Sequence, residues 1–171
     1  VVEYNLAYKY LSVSNVLFAF ILLPFWSAFT DAHSQKEYLW IDKSIKKLRK
    51  LWLLTSLITI IMIVISPFFY KFWIGDKINI SFIITLLTGV YFIAMNASSI
   101  YNSLLNGIGK VNFNYKLALI QVLLFYPLIL LFQEIFNKIT ISILTTMILN
   151  MVTSSILLSL QYKKIKALRN E

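Results

Sequence analysis

The sequence predicts an all-α integral membrane fold with about five spans, and three observations carry that expectation. The 171 residues are 59% hydrophobic and 13% charged, against about 25% charged residues in soluble domains. The mean hydropathy is +0.76. Five apolar stretches each approach the roughly 20 residues needed to cross a hydrocarbon core. Gly and Pro number 4 and 3, too few for low-complexity linkers. The polar sequence between stretches is too short for a separate water-soluble domain.

The spans follow in order. The first runs over 8–29, with Pro24 near its end. The second runs over 51–72, interrupted at Pro67, and the third over 80–105. The fourth covers 115–132 with Pro127 inside, and the fifth 141–160. Proline is tolerated in such helices where neighbouring groups satisfy the freed carbonyl. Between the first two spans, 36–50 places Tyr38, Ile41, Ile45, Leu48 and Trp52 at helical spacing. Lys36, Lys43, Lys46, Lys47 and Lys50 fall on the other face. That pattern predicts a basic amphipathic helix in the cytoplasmic interface, as a lipid anchor or in a substrate-gating or partner-binding role.

The net charge of +9 would indicate nucleic acid in a soluble protein. In a membrane protein its meaning is topological, and no nucleic-acid partner is expected. The loop after the first span carries Lys36, Lys43, Lys46, Lys47, Arg49 and Lys50. The loop after the third carries Lys110 and Lys116, and the tail Lys163, Lys164, Lys166 and Arg169. These three regions share one side and hold 12 of the 16 basic residues; Lys9, Lys71, Lys77 and Lys138 make up the other 4. The positive-inside rule therefore places the C-terminus in the cytoplasm. The first residue would then lie outside, and with Val1 in place of Met and no signal peptide ahead of the first span, at least one earlier span is expected.

Chemistry has few places to reside. The sequence has no Cys and one His, His33, so thiol catalysis, Cys-based zinc and multi-His metal sites are excluded. No carboxylate pair is placed for acid–base work, and no Gly-rich phosphate loop precedes a helix. Neither catalytic residues nor a cofactor are expected. Ionisable residues within spans are functional candidates by default, yet only Lys9, Asp31 and Lys71 come near one, each at a span edge. Trp26 and Asp31, at the end of the first span, are candidates for a gating or interfacial role.

The third span carries the most informative pattern. Thr85, Thr88, Asn96, Ser99, Ser103 and Asn106 fall within an arc of about 80° at 100° per residue, interrupted once by Phe92. Ile83, Leu86, Val90, Ala94, Ala97 and Leu104 occupy the opposite face, which is expected to meet lipid, with Tyr101 as the exception. Such a stripe is either helix–helix adhesion in a bilayer or the lining of a hydrated cavity. Thr88, Asn96, Ser99, Ser103 and Asn106 are the cavity candidates. The fifth span repeats the idea with Ser142, Thr146, Asn150 and Thr153, which fit adhesion better.

Several motifs resemble one family in order and spacing. Pro24-Phe25-Trp26-Ser27-Ala28-Phe29, then Asp31-Ala32 and a basic amphipathic stretch, resemble the segment after the eighth span of bacterial polysaccharide repeat-unit flippases of the Wzx type. The run from Tyr101 to Asn106 and the turn Asn106-Gly107-Ile108-Gly109-Lys110 resemble the end of their tenth span. Tyr4-Asn5-Leu6-Ala7 resembles the stretch after their seventh. Asp31 stands where many relatives carry Glu. The resemblance covers essentially the whole chain. It implies the superfamily of multidrug, oligosaccharidyl-lipid and polysaccharide exporters, with 12 to 14 spans in two lobes around a central cavity. This chain would then be spans eight to twelve, most of the C-terminal lobe.

The implied activity is alternating-access transfer of an oligosaccharide on a polyprenyl diphosphate across the bacterial cytoplasmic (inner) membrane. The partners would be that lipid-linked oligosaccharide, the bilayer and other polysaccharide-assembly membrane proteins. Much of the cationic cavity would come from the other lobe. A cation-coupled drug antiporter of the same superfamily, a membrane-embedded polymerase or glycosyltransferase, and a membrane scaffold are the competing readings. The topology is open to a direct check. Alkaline phosphatase, active only outside the cytoplasm, should be inactive when fused after Glu171 and active when inserted at Asn79; the reverse pattern would invert the orientation.

Overall fold

The structure, a computed structural model, describes residues 2–75 and 79–170, with side chains as far as 168. Lys77 and the side chain of Arg169, both counted in the charge balance above, lie outside the described residues. Six helices account for nearly all of the chain: α1 (Val2–Leu22), α2 (Phe25–Ser34), α3 (Tyr38–Ile74), α4 (Phe82–Gly107), α5 (Val111–Phe136) and α6 (Ile139–Asn170). Taking α1 and α2 as one unit, five helices are long and apolar enough to cross a membrane.

Two elements differ from the sequence reading. The first span, expected over 8–29, is broken: α1 ends at Leu22, and Pro24 (φ −72°) stands at the N-cap of α2. Proline has no N–H for the carbonyl four residues back and its ring crowds that turn, so a new helix starts there. The basic amphipathic stretch over 36–50 is not a separate helix. It is the first part of α3, which continues unbroken through the second span for 37 residues. Its apolar residues Ile41, Ile45 and Leu48 are buried in the main core cluster with Phe18, Phe29 and Leu104. Protein, not lipid, covers that face, and its lysines remain exposed.

Pro67 leaves α3 intact for a local reason. The Ser66 hydroxyl donates to the carbonyl of Ile63 at 2.7 Å, the acceptor that Pro67 cannot serve. At the other end of the bundle the turn after α4 is a Schellman cap. Gly109 (φ +73°) takes the left-handed position. Its N–H donates to the Asn106 carbonyl at 3.1 Å, and that of Lys110 donates to Leu105 at 2.8 Å. Both orphan carbonyls are thereby satisfied and the chain reverses into α5. This is the physical content of the Asn-Gly-x-Gly-Lys motif.

α4 is the central helix. It packs against α1, α2, α3 and α6, whereas α5 is held chiefly by α6. The expected lipid face of α4 is only half correct. Ile83, Leu86 and Val90 are exposed, but Ala94, Tyr101 and Leu104 are buried, because α6 runs alongside them. The ring of Tyr101 lies 6.0 Å from that of Tyr162.

Glycine makes two of these approaches possible. A Cβ on Gly107 would sit 2.8 Å from the Trp26 carbonyl oxygen and 2.9 Å from Phe29 Cβ; a Cβ on Gly89 would meet the Ile63 side chain. The Thr30 hydroxyl closes the first contact by donating to the Gly107 carbonyl at 2.8 Å.

The basic segments meet at one end. Tyr162 donates to the Asp42 carboxylate, and Lys166 pairs with the same group at 2.6 Å. Arg49 donates to the Tyr101 hydroxyl, through Nε at 2.6 Å. Gln161 shares a cavity with Lys110 and Lys116. At the opposite end the Glu3 carboxylate accepts from the Ser81 N–H at 3.3 Å. Gly107→Ala would force backbone, not a flexible tip, to move. It should destabilise the bundle by about 1–3 kcal/mol, seen as a lowered thermal midpoint in detergent; an unchanged midpoint would show that α2 is not packed this closely.

Candidate functional site

The polar residues of α4 divide into two environments. Thr85 and Thr88 are fully buried and Asn96 is 3% exposed. The Thr88 hydroxyl donates back to the Ile84 carbonyl at 2.7 Å. That of Thr85 lies 3.2 Å from the Tyr70 hydroxyl of α3. Phe92 completes this half of the stripe, packed with Leu11 of α1 and Ile63 of α3. Here the stripe lies in a helix interface, beside a second polar contact in which the Ser14 and Thr59 hydroxyls meet at 3.0 Å across α1 and α3.

Past Ser98 the surroundings open. A cavity of about 250 Å³ lies between α1–α2 and α4, lined by Leu22, Trp26, Ser99, Asn102, Ser103 and Asn106 among others. A larger one, of about 420 Å³, is lined by Ser98, Ser99 and Asn102 of α4, Asn114 and Gln121 of α5, and Ser154 of α6, with Tyr91, Met95 and Met151. They share Ser99 and Asn102, so the two hollows adjoin along the face of α4, and together they are called the trough. The second part exists because α4 and α5 diverge below their turn while both contact α6.

The trough is built from neutral groups that both donate and accept. Asn114 Nδ2 donates to Asn102 Oδ1 at 2.7 Å and to Asn106 Oδ1 at 2.8 Å. This spends both of its hydrogens and leaves its buried Oδ1 unpaired among the described residues. Gln121 Nε2 donates to the Asn150 carbonyl at 2.8 Å and to Ser154 Oγ at 2.7 Å. The Ser99 hydroxyl donates to Met95 O at 2.9 Å, which leaves its lone pairs available. Among the described residues no ionisable carboxylate or ammonium lines either part.

Of the sequence candidates, Ser99, Ser103, Asn106 and Trp26 come together here. Thr88 and Asn96 lie inside the bundle, away from the trough. Asp31 is exposed on α2, outside the lining. Asn102, Asn114, Gln121 and Ser154 are the lining residues the sequence reading passed over. Asn102 falls about 40° outside the polar arc of α4, and Asn114 stands just before the span expected over 115–132, in the first turn of α5. The signal for Asn102 and Asn114 is the cluster of four Asn at 102, 106, 112 and 114 flanking the glycine turn; Gln121 and Ser154 have none. In the fifth span, Ser142 Oγ meets Gln133 Oε1 of α5 at 3.2 Å, the helix–helix contact expected of that stripe. Among the described residues no group of His, Asp and Glu is placed to hold a metal ion.

No family model, curated protein or solved structure matches this chain. The division of the stripe can be measured directly, because the sequence has no native Cys. Cysteines at Asn102 and Ser103 should react with a water-soluble maleimide in membranes, and a cysteine at Thr88 should not. Equal labelling at all three positions would contradict the division.

Proposed function

We propose that this chain is a wall of a membrane transporter that moves lipid-linked oligosaccharide repeat units across the bacterial cytoplasmic membrane by alternating access. The observation that carries the reading is the trough: a neutral, amide- and hydroxyl-lined groove on the face of α4, in a bundle of helices long enough to cross a membrane. Sugar hydroxyls both donate and accept, so Asn and Ser side chains suit them. An unpaired hydroxyl in hydrocarbon costs kcal/mol. Asn102, exposed on α4, and the lone pairs of the Ser99 hydroxyl offer partners for such hydroxyls, and Trp26, 56% exposed, offers an apolar face for a sugar ring at the trough edge.

The motif resemblance points the same way. In this reading a second lobe supplies the facing wall and the cations for the diphosphate, the polyprenyl tail stays in lipid, and the lysine-rich end faces the cytoplasm. An ion-coupled antiporter draws less support, because the trough lining has no group that titrates in the physiological range.

The test is export. In the full-length protein, Asn102→Leu combined with Ser103→Leu removes two polar contacts of about 1 kcal/mol each, enough for roughly a tenfold to thirtyfold loss of surface polysaccharide at unchanged membrane abundance. Thr88→Val, inside the bundle, should export normally. Normal export by the trough variant at normal abundance would overturn the proposal.

A further inference from the structure

A separate cavity of about 350 Å³ lies at the basic end, lined by Gly109, Lys110, Asn112, Phe113 and Lys116 around the start of α5 and by Gln161 of α6. It is not part of the trough. Asn114, Leu117, Ala118 and Gln121 face the trough, whereas Asn112, Phe113 and Lys116 fall roughly 90–170° around α5 from the centre of that set.

Lys110 and Lys116 are both exposed, and among the described residues neither has an ion-pair partner; the one ion pair there joins Lys166 to Asp42. Below Lys116 on the same side of α5 run Leu119, Ile120, Leu123 and Leu130, all exposed. From Lys116 to Leu130 is about 21 Å along the axis at 1.5 Å per residue, enough to follow the roughly 15 Å hydrocarbon depth of one leaflet.

We propose that this cavity binds the phosphate headgroup of an anionic phospholipid, with the acyl chains lying along that leucine track. Lysine is a compact point charge suited to phosphate, and Asn112 and Gln161 carry amide donors for the phosphate and glycerol oxygens. Basic pockets between membrane helices on the cytoplasmic side take anionic headgroups in this manner. The apolar track beneath the lysines selects a lipid over a soluble anion. Lys163 and Lys164 are also exposed on α6 but line no part of this cavity, so they provide a control of equal charge. The proposal requires membrane insertion and is independent of what the trough carries.

Native mass spectrometry of the full-length protein in neutral detergent tests it, with dioleoyl phosphatidylglycerol and dioleoyl phosphatidylcholine as probes of identical acyl chains. The expected result is retention of phosphatidylglycerol about tenfold better than phosphatidylcholine. That preference should vanish in Lys110→Gln/Lys116→Gln, survive in Lys163→Gln/Lys164→Gln and return in Lys110→Arg/Lys116→Arg. Excess inorganic phosphate should not displace the lipid. Equal binding of the two lipids, equal loss in both glutamine pairs, failure of the arginine pair to restore binding, or displacement by phosphate would each overturn it.

Discussion

α4 must touch all five other helices at once, four of them closely, and the rest of the bundle depends on how it does so. Between helices in lipid there is no hydrophobic drive, since acyl chains are as apolar as Leu, and association rests on close packing and satisfied polar groups. Gly89 admits Ile63 of α3, and Gly107 admits the backbone of α2. Those two approaches set the height of α3 and α2 against α4. They thereby bring Arg49 to Tyr101 and place Trp26 at the rim of the trough. α5, without an equivalent small-residue seat on α4, leans on α6 instead, and the opening between α4 and α5 follows from that omission.

Polar residues do two different jobs along α4, and magnitude separates them. A hydrogen bond between membrane helices averages about 0.6 kcal/mol, so the Thr85–Tyr70 contact adds modest stability and chiefly fixes register. The Asn102–Asn106–Asn114 cluster is different. It satisfies two carbonyls with one amide and leaves a third carbonyl buried and unpaired. An unsatisfied buried acceptor costs about 1–3 kcal/mol. The cluster therefore costs stability where the Thr85–Tyr70 contact adds it.

Much of this was legible from residues alone, for a physical reason. Span length and hydropathy are one-dimensional, so five apolar helices and the segregation of basic loops to one end could be read directly. The break at Pro24 was visible as a proline but not as a helix start, because Pro67 and Pro127 in equally apolar surroundings leave α3 and α5 whole. The difference at Pro67 lies in one neighbouring hydroxyl, Ser66. The 36–50 stretch has a pattern suited to a membrane surface, and amphipathicity does not say whether lipid or protein covers the apolar face; Phe18, Phe29 and Leu104 decide it. The α4 stripe likewise marks one face without saying which neighbour covers each part. Asn114 entered the trough through the turn at Gly109, a tertiary event no helical period contains.

The unbroken α3 has a mechanical side. At 1.5 Å per residue its 37 residues extend about 55 Å, while the hydrocarbon core is only about 30 Å thick. A membrane-spanning α3 therefore carries a stiff arm of some four turns past the lipid boundary. Asp42 near its tip grips the end of α6 through Tyr162 and Lys166. A tilt of about 10° about the far end would sweep that tip by roughly 10 Å and pull α6 with it. Because Ile41, Ile45 and Leu48 of that arm are packed in the main core cluster, such a tilt would carry the basic end of the bundle with it as a unit.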